Sequence, residues 1–218
     1  MRLNDKQLLE IVELLKLTII EHKENILKMP NAHMTLNDNL MNVLIDYFLE
    51  HTLELKEILQ YIDFSNATLV NKKVSFVDFS YYLNISLDPQ LVYDKNLMGS
   101  KLFGIDFSNK RFDDVKCVAT SFVGARNVDL NPQTVANKNL VHSKLSGVDL
   151  RGKDLTDVML EDADFTDAII SKDIKLNLKN NYRGLKGLDK AIVLEDIENI
   201  TDDNYDKCKK YIINMFKK

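Results

Sequence analysis

Over the first sixty or so residues the apolar positions recur at helical spacing. Leu8, Leu9, Val12, Leu15, Ile19 and Ile20 fall three and four apart, with Glu10, Glu13, Lys16 and Glu21 between them. Met29-Pro30-Asn31 breaks the run, because proline ends a helix interior. Leu40, Val43, Leu44, Tyr47, Phe48 and Leu55 predict a second helix, with Thr35 as its cap and Asp38 three residues on. Residues 1–61 thus read as a helical hairpin.

From 62 to 171 a period of five replaces the helical one. Apolar residues stand at Phe64, Leu69, Val74 and Phe79, then every fifth residue from Leu87 to Phe122, then from Leu130 to Ile170, 21 positions in all. Chance does not supply three phase-locked runs of this length. Phe79 to Leu87 and Phe122 to Leu130 are eight residues each, one unit plus an insertion of three, and the two breaks lie 43 apart. The sequence itself repeats at that offset. Ile62-Asp63-Phe64-Ser65-Asn66 returns as Ile105-Asp106-Phe107-Ser108-Asn109, and Pro89-Gln90 returns as Pro132-Gln133. A fixed internal period marks stacked repeats, in which each unit buries its apolar face against its neighbours.

Residues 172–218 lose the period. Asn177, Asn180, Asn181, Gly184 and Gly187 predict irregular chain. Thr201-Asp202-Asp203 reads as a helix start, and Tyr205, Cys208, Ile212, Met215 and Phe216 follow at helical spacing. Helical zones on both sides are the natural caps for a repeat region whose ends would otherwise expose unpaired backbone.

The five-residue units resemble those of the pentapeptide-repeat proteins. Val148-Asp149-Leu150-Arg151-Gly152, Ala163-Asp164-Phe165-Thr166-Asp167 and Ile105-Asp106-Phe107-Ser108-Asn109 match best the pattern of a small residue, Asp or Asn, then an apolar centre. The resemblance implies an all-β solenoid, a right-handed quadrilateral β-helix with four units per coil, in which the centre and the residue two before it point inward. Stacking every fourth centre and allowing for the insertions gives about five coils and a rod of roughly 25 Å. One face then stacks Phe64, Leu87, Phe107, Leu130, Leu150 and Ile170, and another stacks Phe79, Leu102, Phe122, Leu145 and Phe165. Two faces depart from the pattern, because Lys72, Lys95, Lys110, Lys138 and Lys153 fall at inward positions. A buried lysine is costly unless paired, so either the stems snorkel outward or the local turn differs.

Composition changes this picture little. Lys plus Arg is 29 against 33 Asp plus Glu, a net charge of −4, which argues against a general nucleic-acid binder. No charge-free window reaches membrane-spanning length, and the charged N-terminus is not a signal peptide, so a cytoplasmic location is expected. His22, His33, His51 and His142 share no metal-ligand spacing, and Cys117 and Cys208 are apart from each other and from any evident base. No glycine-rich phosphate loop is present. No catalytic residue, cofactor or metal is therefore expected.

What remains is surface. The inserted segments Ser80–Asn84 and Val123–Asn127 should bulge from one edge, and Tyr81, Tyr82 and Arg126 are residue types that interfaces favour. Asp154, Asp157, Glu161 and Asp162 belong to an acidic cluster late in the repeats. The first reading is a non-enzymatic scaffold for a protein partner of unknown identity. The resemblance adds a second, a DNA mimic that binds a type II topoisomerase. A bacterial effector fragment is the third. A homodimer through the C-terminal zone is expected, because one capped end buries only one stripe of the last helix and leaves Tyr211 and Ile213 over.

Overall fold

The computed structural model describes residues 4–28, 33–182 and 184–194. Helix α1 spans Asp5–Lys28, and strand β1 is Met34–Thr35. Helix α2 runs Asp38–Glu50, helix α3 runs Thr52–Leu59, and strand β2 is Ile62–Asp63. Beyond the repeats come strand β3 (Ile169–Ile170), helix α4 (Lys172–Asn181) and strand β4 (Ile192–Val193). The predicted 29–31 break and the helix expected after Thr201 lie outside the described residues.

The expected second helix is two helices. The chain kinks at His51, where Thr52 Oγ1 donates toward the carbonyls of Phe48 and Leu49, both 3.1 Å away. Neither proline nor glycine announces that break in the sequence. The cap also differs from expectation. Thr35 is used in β1, and Asn37 caps α2 by accepting from the Leu40 amide at 3.0 Å.

Between β2 and β3 the chain returns to the same parallel pairing every 20 residues, or every 23 across an insertion. One ladder is unbroken: Asp78, Lys101, Ser121, Lys144, Asp164 and Lys186 pair in succession. The residue after each of the first five is Phe79, Leu102, Phe122, Leu145 and Phe165, every one at most 1% exposed. The stack read from the sequence therefore lies directly inside this ladder. A second column is extended at both ends, Thr35 pairing with Asp63 before the repeats and Ile169–Ile170 with Ile192–Val193 after them. Parallel pairing thus continues past residue 171.

Turn chemistry explains why the units are five long. Most of the straight runs end in a residue with positive φ, and ten of the fifteen non-glycine residues in that state among those described are Asn or Asp, such as Asn71, Asp114 and Asp157. Short polar side chains that bond the local backbone make this conformation tolerable. The carboxylate or amide starting a unit completes the turn, as where Asp106 Oδ1 accepts from the Ser108 amide at 2.9 Å.

Inside, three hydroxyls are fully buried at Ser100, Thr120 and Ser143. Each donates to a carbonyl of the coil before it, those of Val74, Leu97 and Cys117, at 2.6, 2.8 and 2.7 Å. Aromatic rings fill much of the remaining interior, with Phe107, Phe112 and Phe122 in a run of centroid distances 5.1 and 5.7 Å.

The five lysines at inward positions follow both routes. Lys72, Lys110 and Lys153 turn their heads out to Asp46, Asp88 and Asp129 at 2.6, 3.1 and 2.9 Å. Lys95 and Lys138 sit instead at the ends of short 3-10 turns, with φ of 45° and 49°. Gln90 and Gln133 occupy alternate coils between the outward lysines. Each spans to the next coil, Gln90 Nε2 donating to the carbonyls of Arg111 and Asp113 at 3.2 and 2.8 Å. Gln133 repeats this on Asp154 and Thr156 at the same distances.

Residues 172–181, read from sequence as irregular, form α4. Ser171 caps it by accepting from the Ile174 amide, and Leu178 is its fully buried contact. Its asparagines hide a single apolar stripe.

Candidate functional site

The insertions lie later than their sequence boundaries suggested. Leu83 still pairs with Asp63, and Arg126 with Asp106, both exactly one 20-residue coil on. The extra residues are thus Asn84–Ser86 and Asn127–Asp129, immediately before the next centres Leu87 and Leu130. Both asparagines reach back to the coil above. Asn84 Nδ2 donates to Asp63 Oδ1 at 3.2 Å, and Asn127 Nδ2 to Asp106 Oδ1 at 2.9 Å.

Tyr81 and Tyr82 part company. Tyr82 is 5% exposed and packs its ring against Phe64 and Phe79, with centroids 4.8 and 5.6 Å away. Its hydroxyl donates to the Phe48 carbonyl and meets Thr52 Oγ1, both at 2.7 Å. Burial pushes its phenol well above the usual tyrosine range, against a smaller opposing effect of the Thr52 bond. Tyr82 therefore anchors the first repeat coil to α2 and offers nothing to a partner. Tyr81 stays half-exposed beside it.

A cleft of about 750 Å³ opens between this turn and the following coils, lined by Tyr81, Leu83, Phe103, Gly104, Asp106 and Arg126 among others. Phe103 is 56% exposed. Its ring lies across Gly124, where an added Cβ would come within 2.2 Å of it. Gly124 also has φ of +71°, so glycine both makes the turn and seats the ring. Arg126 extends along the wall, its Nη2 donating to the Gly104 carbonyl at 3.2 Å. Asp106, which pairs with Arg126 on the neighbouring coil, also lines the cleft. Bonds from Asn127 first, then from Ser108, hold its carboxyl down at about 2, so it stays ionised. The cleft thus presents an aromatic floor, a guanidinium with donors to spare, and one fixed carboxylate.

Sequence reasoning found Tyr81 and Arg126 and missed Phe103. The signal was available: the same outward position holds Ser80, Val123, Ser146 and Thr166 in sister coils, so Phe103 is the only aromatic in the series.

The acidic candidates lie apart from the cleft. Asp157 and Asp162 have φ of 57° and 55°, the turn positions that Asn and Asp fill throughout the repeats. Asp162 is near His142 Nδ1 at 3.6 Å and Lys186 Nζ at 3.4 Å. Asp154 accepts from the Thr156 amide at 2.8 Å, and hydrogen bonds from Thr156 hold its carboxyl below the usual range. Glu161 is exposed next to Asp162. Asp157 and Asp162 thus hold equivalent turn positions of successive units, five residues apart.

Cys117 is fully buried, and burial pushes its thiol up to about 12. Among the described residues no three of His, Cys, Asp and Glu come together to hold a metal ion. No helix among them is long and apolar enough to cross a membrane.

No curated protein and no solved structure matches this chain. A family model does: "Pentapeptide repeats" matches residues 139–171 in eight copies. That stretch holds Leu140, Leu145, Leu150, Leu155, Leu160, Phe165 and Ile170, each at most 6% exposed. Its inward centres and its turns resemble those of the coils before it, and residues 139–171 are similar to pentapeptide repeats.

Proposed function

We propose that this chain is a non-enzymatic protein-binding scaffold, built on a right-handed quadrilateral β-helix with helical caps, and that the cleft at the first insertion holds the partner. The recurring parallel pairing at 20 and 23 residues supports the β-helix. The observation that carries the binding role is the cleft beside Tyr81, Phe103 and Arg126, where a large apolar ring stands 56% exposed on a glycine seat. Aromatic and arginine side chains around a concavity are what protein interfaces use as anchors. The residues lining it are ones a partner can contact without unfolding anything, because the neighbouring Tyr82 holds the turn in place from inside.

The test compares the full wild-type chain with the Phe103→Ala, Arg126→Ala double variant as baits in extracts of the source cell. Proteins retained by the first and lost by the second, with unchanged circular dichroism, support the reading. Identical retention by both overturns the cleft as the binding site.

A further inference from the structure

We propose, on the scaffold reading above, that the wall beside the cleft binds an acidic, extended segment of the partner with a carboxylate at every third residue. Along this wall the residue before each inward centre can accept from the amide two residues on. Asp78 Oδ1 takes the Ser80 amide at 3.2 Å, and Asp164 Oδ1 takes that of Thr166 at 2.9 Å. In the three coils between them the ladder holds Lys101, Ser121 and Lys144 instead. The amides of Phe103, Val123 and Ser146 accordingly make no hydrogen bond among the described residues. On the other walls no two successive turns leave that amide free. Those of Met98 and Val141, held by Asn96 and Asn139 Oδ1 at 3.0 Å, lie between the free amides of Ser75, Val118 and Glu161. Three open turns in succession, among the described residues, occur on this wall alone.

The acceptor for these amides comes from outside, and the wall selects an anion. Between Asp78 and Asp164 the ladder holds two lysines and no acid. Lys101 reaches back to Asp78 Oδ2 at 2.6 Å, whereas Lys144 makes no ion pair among the described residues. Arg126 adds a guanidinium at the cleft edge. The chain itself shows that a carboxylate fits such a place, since Asp78 takes the Ser80 amide on one oxygen and Lys101 on the other. A partner carboxylate at Ser146 meets the same pair of donors, an amide and the Lys144 ammonium, and bonds to charged groups are the stronger ones.

Spacing sets the conformation of that segment. Lys101 and Lys144, with the open amides of Phe103 and Ser146, lie two coils apart through Ser121, or about 9.6 Å at strand spacing. A strand repeats a side-chain direction every two residues, about 6.7 Å, and matches neither one coil nor two. Seven residues of helix advance about 10.5 Å. Polyproline II repeats every three residues, about 9.3 Å, and comes nearest to two coils. It also has no internal hydrogen bonds, so its backbone is free to pair with a wall. Phe103, 56% exposed, and the half-exposed Tyr81 stand at the first open turn, and aromatic rings are what proline-rich segments of this kind dock against.

The probe is a fluorescein-labelled peptide of repeated Glu-Pro-Pro, titrated into the full chain and followed by polarisation. It should bind below about 1 mM, and more weakly as salt rises. Lys144→Asn lets a side-chain amide fill the place at Ser146, as Asn139 does at Val141, and should weaken binding about tenfold or more. Lys144→Ala removes the same charge but leaves the amide open, and should cost about threefold or less. Both should keep the wild-type melting temperature. In amide spectra the Phe103 and Ser146 protons should move downfield on titration. No binding at about 1 mM, equal losses for the two variants, or equal binding of a peptide with its glutamates adjacent overturns the proposal. Tighter binding of oligothymidylate than of the peptide overturns the polypeptide partner in favour of a phosphate backbone. A partner lost from extracts by Phe103→Ala with Arg126→Ala but kept by Lys144→Asn overturns this proposal and leaves the cleft reading standing.

Discussion

Removing the buried hydroxyls should loosen the repeats by a calculable amount. Ser100, Thr120 and Ser143 each bridge to the coil before them and are fully enclosed. Ser100→Ala, Thr120→Val and Ser143→Ala delete one hydrogen bond apiece with little change of shape. The abandoned carbonyls are not orphaned, since those of Leu97 and Cys117 also accept the amides of Ser100 and Thr120 at 3.0 and 3.1 Å. The cost is therefore the net value of a hydrogen bond, about 1 kcal/mol each, without the larger penalty of an unsatisfied group. Ala163 holds the corresponding place one coil later with no hydroxyl, so the coil itself does not require one.

The three bridges lie one coil apart, about 4.8 Å, close enough to couple, so the triple variant should lose about 2–4 kcal/mol rather than a strict sum. Each single change should lower the melting temperature by about 2–4 °C in a chain of this size. Urea unfolding followed by far-ultraviolet circular dichroism measures the loss, and an unchanged slope shows that the same cooperative unit is being compared. Three neutral variants would show that the bridges contribute nothing. A single variant costing more than about 3 kcal/mol would show that the carbonyl is left unsatisfied after all.

Leu145 is fully buried, so Leu145→Asp should cost about 4 kcal/mol or prevent folding, while Asp149→Ala, which removes a partly exposed pair with Arg151, should cost under about 1 kcal/mol; equal melting shifts would contradict the inward and outward assignment. The Cys117 thiol, pushed up by burial, should resist a disulfide reagent in the native chain and react only as fast as the chain opens; immediate stoichiometric labelling at Cys117, read by mass spectrometry, would refute its enclosure. Asp78 and Asp106 have depressed folded values, Asp78 because its bonds to Lys101 and Ser80 outweigh an opposing burial effect. Their stabilisation is present above the unfolded value near 4 and lost as pH falls through the folded value, so urea midpoints should drop between about pH 4 and 2, and Asp78→Asn with Asp106→Asn should flatten that drop.

The interior was legible because its rule is simple. An apolar residue every five positions, with a phase shift at each insertion, admits one stacking, and Phe79, Leu102, Phe122, Leu145 and Phe165 fall inside one ladder as that stacking requires. What the period could not carry was the chain outside it. Helix α4 escaped because its one buried contact, Leu178, sits among Asn177, Asn180 and Asn181, whose usual role is in turns. The break at His51 escaped because it depends on Thr52 and on the Tyr82 hydroxyl from 30 residues away. The fate of Tyr82 escaped for the same reason. A tyrosine in an insertion reads as surface until the Phe48 carbonyl that it reaches is known.

The 43-residue double unit also separates what holds the fold from what is free to do something else. Positions that build the coil copy faithfully from one double unit to the next. Asp63 and Asp106 both cap their turns, Asn84 and Asn127 both reach back to them, and Gln90 and Gln133 bridge the same pair of carbonyls at matching distances. The cleft is made where copying fails. Forty-three residues after Tyr81, Leu83 and Phe103 stand Gly124, Arg126 and Ser146. None of these exchanges changes the ladder, since Leu83 and Arg126 occupy equivalent pairings. A position that keeps its backbone role while its side chain departs from its internal copy is under some other constraint than folding. Three such departures, at Tyr81, Leu83 and Phe103, fall on the cleft, where Phe103 on its glycine seat and Arg126 put an aromatic ring and a guanidinium on one wall, and that juxtaposition is the physical reason to look there for the partner.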